Sequence, residues 1–133
     1  MSNDWSHKAC FDFYKVNPKN PRWSWSGRSA DGKTVAVTVW QDRFEDGINL
    51  YRSHTHLNDE GWQSRPGHNE LMANLAWARD NCDGEVRIII ARAKDRDVSP
   101  RSIAECYPRA DIRMRVKNLD EASGDFILER ITS

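Results

Sequence analysis

Three of the four histidines in this chain, His54, His56 and His68, fall in one polar stretch that runs into Glu70. Residues i and i+2 of an extended backbone share a face, so His54 and His56 in the SHTH segment can chelate one divalent metal. His68 or Glu70 would close the site, and with or without a metal one of these imidazoles can act as a general acid or base near neutral pH. Such a group would serve a small hydrolase or nuclease. It lacks a defining motif: there is no HExxH, no CxxC and no HNH-type pattern, and PGHNEL matches the last only superficially. Unliganded loop histidines are the plainer alternative.

A second set of residues suits recognition rather than catalysis. Arginine outnumbers lysine fourteen to six, and the chain holds six tryptophans. Arginine forks match phosphates and stack on rings, and tryptophan offers a large rigid face. Trp23 and Trp25 alternate in RWSWS, and Trp40 ends the neighbouring run TVAVTVW. Cross-strand aromatics at this spacing can meet on one face and stack a base or cage a methylated group. Trp62, in a polar loop beside Gly61, adds to that set. The segment DIRMRVK sends Arg113, Arg115 and Lys117 to one side of a strand, a ridge fit for phosphates. Its approach carries Arg92, Lys94, Arg96, Arg101 and Arg109 interleaved with Asp95, Asp97, Glu105 and Asp111, as a solvated surface would. Equally, the tryptophans could simply fill the core.

The elements that position these residues are organised around one stretch. Leu71, Leu75, Ala78 and Cys82, flanked by Met72, form an apolar stripe and predict a helix over about 67–82, stopped by Asp83-Gly84. On its wheel Glu70, Asn74, Trp77 and Asn81 share a second side. Trp77 is then either covered by the N-terminal arm or part of a docking surface for a protein partner. Val86, Ile88, Ile89 and Ile90 follow as a strand too apolar to lie at an edge.

Elsewhere, residues 1–8 read as a loosely ordered leader, and Ala9 to Val16 as a short strand or docked arm. Asn17 to Pro21 is a turn. Strands are predicted over 22–26, with the tryptophans on one face and Arg22, Ser24 and Ser26 on the other, then over 34–40 and 48–52. Ser99-Pro100 looks like the cap and first residue of a short helix over about 100–106. Strands over 111–117 and 126–131 close a second hairpin, with Ile112, Met114 and Val116 facing inward. The expected fold is a single α+β domain over 1–133: a curved, mostly antiparallel sheet or partial barrel with one main and one short helix.

Composition narrows the function. Twenty basic and twenty acidic residues cancel, so no global field draws the chain to nucleic acid or an anionic membrane, and such a partner needs a local patch. No apolar run approaches the ~18 residues of a membrane span, and Met1 to Cys10 lacks the apolar core of a signal peptide, so the expectation is a cytoplasmic protein without a membrane partner. Cys10, Cys82 and Cys106 show neither a disulfide framework nor zinc spacing. Phosphate loops, dinucleotide fingerprints, nucleophile elbows and paired-carboxylate signatures are absent, which points away from an enzyme and from a cofactor. The sequence therefore reads as a small nucleic-acid-binding module, with Arg113, Arg115 and Lys117 on phosphates and Trp23, Trp25, Trp40 or Trp62 stacking a modified or flipped base. The alternatives are the histidine-based hydrolase or nuclease and a protein-interaction or inhibitor module.

Overall fold

A computed structural model describes residues 6–19, 24–41, 44–45, 47, 49–52, 66–93, 103–120 and 125–131. In chain order the elements are α1 (His7–Phe13), β1 (Val16–Asn17), β2 (Ser26–Ser29), β3 (Val35–Trp40), β4 (Phe44–Glu45), β5 (Leu50–Arg52), α2 (Pro66–Asn81), β6 (Glu85–Ala93), β7 (Ile103–Asp120) and β8 (Asp125–Arg130). Among the described residues the strands form one open sheet in the order β1-β2-β3-β6-β7-β8-β5-β4. The fold is α+β. All strand pairings are antiparallel except β3 with β6, which α2 joins as a parallel crossover. No helix among the described residues is long and apolar enough to cross a membrane.

The two helices cover opposite faces of the sheet. Leu71, Met72, Leu75 and Ala78 of α2 bury themselves against Val35, Val37 and Val39 of β3, Val86, Ile88 and Ile90 of β6, and Ile112, Met114, Phe126 and Leu128 beyond. On the other side Cys10 and Phe11 of α1 pack on Ala36, Trp40, Ile89, Ala91 and Cys106. Strand β3 thus carries buried residues at all six positions, because each face of the pleat meets a helix. The sheet has edges at β1 and β4, so no barrel closes. Nevertheless the Trp40 amide donates to the Tyr51 hydroxyl at 3.2 Å, although β3 and β5 stand four strands apart, about 19 Å in a flat sheet.

Helix α2 begins at Pro66 and ends where Asp83 and Gly84 take positive φ and the Gly84 amide turns back to Ala78 O at 2.8 Å. Three local expectations are corrected. The stretch from residue 9 contains no strand before Val16: α1 starts at His7, inside the stretch read as a leader, and Ser6 Oγ caps it by accepting from the Ala9 amide at 3.0 Å. Its aromatics suggest a strand or a docked arm, but the cap and the Lys8–Asp12 pair at i,i+4 favour about two turns of helix that bury Cys10 and Phe11.

The short helix over 100–106 is the second correction. Ile103 to Cys106 are strand, paired with Ala93 to Ala91 of β6, because a central apolar strand needs a hydrogen-bonding neighbour along its whole length. Strand β7 therefore runs straight through Pro108. It does so across an irregularity: Arg87↔Arg113 and Ile89↔Pro108 are two residues apart on β6 but five apart on β7. The odd number of extra residues exchanges the faces, so Cys106 lies against α1 while Ile112 and Met114 lie against α2. The third correction concerns the RWSWS strand. Among the described residues strand β2 begins only at Ser26, whose hydroxyl meets Asn74 of α2.

Candidate nucleic-acid interface

On the α1 side of the sheet the outer positions of β6, β7 and β8 carry charge. Arg87 alternates with buried Val86 and Ile88, and Arg113 and Arg115 alternate with buried Ile112 and Met114. The register sets Arg87 directly opposite Arg113 and Glu85 opposite Arg115. Two like charges directly opposite on neighbouring strands are unfavourable unless a counter-charge joins them. Here Glu85 does so: it accepts from Arg113 Nε at 3.0 Å and Nη2 at 2.7 Å, and lies 3.3 Å from Arg87 Nη1. The hydrogen bonds from Arg113 hold the Glu85 carboxyl below its usual value, against a smaller upward push from burial. Arg115 reaches Glu129 at 3.4 Å, and Lys117 is exposed at a second irregularity of β7. Arg87, Arg113, Arg115 and Lys117 thus face two carboxylates. Further along, Arg109 forks onto Asp111, lowering that carboxyl to about 2, and Arg92 pairs with Glu105. Arg113 and Arg115 share one face of β7, and both are paired with carboxylates within the chain.

The tryptophans are placed differently. Trp25 and Trp40 do meet, with ring centroids 5.4 Å apart. They meet in the layer beneath α1, where Trp40 is 5% exposed and Trp25 half-buried, with His7 against Trp25 at 6.3 Å and against Phe11 at 4.6 Å. His7 Nε2 lies 2.7 Å from Thr38 Oγ1. This pair is an interlayer filling, not an open stacking platform. Trp23 and Trp62 lie outside the described residues, as do His54 and His56. The His68 backbone belongs to the first turn of α2, and its side chain also falls outside the described part.

The second side of α2 is a buried polar seam. Glu70, 6% exposed, accepts from the Lys19 amide at 2.7 Å through Oε2, while Oε1 has no partner among the described residues. Asn74 donates to Ser26 Oγ at 2.8 Å and accepts from Arg28 Nε at 3.2 Å. Trp77 donates to Gly32 O at 2.7 Å, and the Arg28 guanidinium stacks on its ring at 4.3 Å. The β2–β3 turn covers Trp77. That turn is shaped by Asp31, whose Oδ1 accepts from Ser29 Oγ and the Lys33 amide, and by Gly32 at φ +72.

Among the described residues no three His, Cys, Asp or Glu side chains gather as metal ligands. Sequence reasoning missed Arg87 and Glu85, although the polar-apolar alternation in EVRI was signal enough, and it missed Arg28, which nothing local assigns to Trp77. No family model, curated protein or solved structure matches the chain.

Proposed function

We propose that this chain is a small nucleic-acid-binding module that seats phosphates on the β6–β7 face. The observation that carries the reading is the cross-strand pair Arg87↔Arg113 with a single shared carboxylate, Glu85. Partly exposed ion pairs are worth little, about 0–1 kcal/mol, so a phosphate can compete for these guanidinium donors without a large penalty. Arg115 and Lys117 extend the same stripe toward β8. Since Trp25 and Trp40 are packed beneath α1, stacking of a modified or flipped base falls to Trp23 or Trp62.

Electrophoretic shifts with single-stranded, duplex and methylated oligonucleotides at low and high salt test the proposal. Binding should weaken with salt, and Arg87→Gln combined with Arg113→Gln should flatten the logarithmic slope by about 1–2. Absence of salt-sensitive binding to every oligonucleotide would sink it. A hydrolase remains the second reading on the strength of Glu70, a buried carboxylate with one oxygen that finds no partner among the described residues. Metal analysis of untagged protein, with activity assays of His54→Ala and His68→Ala, separates the two.

A further inference from the structure

Two of the three cysteines are brought together by the fold from positions 96 residues apart. Cys10 Sγ donates to Cys106 Sγ at 3.7 Å, in a cluster with Phe11, Val16, Ala36, Trp40, Ile89 and Ala91. Cys10 lies on α1 and Cys106 on β7, so this contact joins the N-terminal helix to a central strand. A disulfide has an S–S length of about 2.05 Å, so rotation of two short side chains must close less than two ångströms. We propose that Cys10 and Cys106 form a reversible thiol–disulfide pair that clamps α1 onto the sheet.

The oxidant is hydrogen peroxide. Cys106, as thiolate, attacks one peroxide oxygen; the O–O bond breaks and the leaving oxygen departs as water, leaving a sulfenic acid on Cys106. The Cys10 sulfur then displaces hydroxide from that sulfur, its own proton leaving with the hydroxide as a second water. Two thiols lose two electrons to one peroxide, giving one disulfide and two waters. The S–H···S contact favours Cys106 as the attacking sulfur: it lowers the Cys106 thiol, while the same contact and burial push Cys10 up. Both sulfurs are buried, so oxidation waits on the lifting of α1, and a seven-residue helix held mainly by packing opens more readily than the sheet. The closed loop is long, which is where a cross-link most restricts the unfolded chain.

The test uses the full chain treated with hydrogen peroxide and then a maleimide under denaturing conditions. The expected result is a mass lower by two hydrogens, labelling of Cys82 alone, a proteolytic fragment joining Cys10 to Cys106, and a thermal midpoint raised by roughly 5 °C or more. Dithiothreitol should reverse all four. Oxidation to sulfinic acid without the joined fragment, intermolecular dimers through either cysteine, or a joined product that melts lower than the reduced protein would each overturn the proposal.

Discussion

The indole N–H of Trp77 donates to the carbonyl oxygen of Gly32 at 2.7 Å, and a Cβ added at Gly32 would stand 2.9 Å from the same ring. The second side of α2 is therefore closed by the β2–β3 turn, with Arg28 laid over the indole. These contacts hold the Trp77 ring against the turn.

This placement makes Trp77 a stability residue. Leu75→Ala opens a cavity at a fully buried site and should cost about 2–5 kcal/mol. Trp77→Ala removes a half-buried ring, its hydrogen bond and the stacking of Arg28, and should cost about 2–4 kcal/mol. Chemical unfolding of both variants checks the pair. An unchanged midpoint for Trp77→Ala would return the ring to the candidates for binding.

Gly32 and Gly47 provide a controlled comparison, since φ is +72 at one and +70 at the other, but among the described residues nothing lies within 4 Å of a Cβ at Gly47. Gly47→Ala should cost about 1 kcal/mol, the backbone penalty alone. Gly32→Ala should cost about 1–2 kcal/mol more, and Trp77→Ala in the same chain should remove that excess. Equal losses at the two glycines would show that the ring yields freely.

The Tyr14 hydroxyl donates to Ile88 O at 2.8 Å, and burial chiefly raises its pKa from an ordinary 10.0 to about 12. Between these values the unfolded chain has released the phenolic proton while the folded chain keeps it. Folded protein then binds more protons, so stability falls as pH rises across the window from 10 to 12, and this contribution is fully present below it. Tyr14→Phe should lose about 1 kcal/mol at neutral pH and show a shallower decline in that window. An identical alkaline decline in both proteins would remove Tyr14 as its cause.

The polar seam yields the last prediction. Asn74 satisfies both Ser26 and Arg28 in a site 4% exposed, so Asn74→Leu strands two groups and should cost about 2–4 kcal/mol. Glu70→Gln keeps an acceptor for the Lys19 amide and should change stability by less than about 1 kcal/mol, whereas Glu70→Ala should cost about 1–3 kcal/mol. Thermal melts of the three variants give the ranking, and a glutamine variant as unstable as the alanine one would contradict it.

Periodic segments declared themselves in the sequence. The stripe Leu71, Leu75, Ala78 with Pro66 and Gly84 at its ends, the alternation of β3, and the hairpin of Met114 with Phe126 and Leu128 all depend on neighbours a few residues apart. Their outward residues, Arg113 and Arg115 among them, followed at once, as did the shared side of Glu70, Asn74 and Trp77. Those features are local, and a local pattern is enough to set which way a side chain points. What the residues meet was decided by tertiary structure. That β3 pairs β6 in parallel, that β7 starts at Ile103 and inserts residues between the partners of Arg87 and Ile89, that Glu85 lies between two arginines, and that Cys10 meets Cys106 are all matters of long-range register. Register is settled by summing many weak pairings across the sheet, and no single stretch of chain holds that sum.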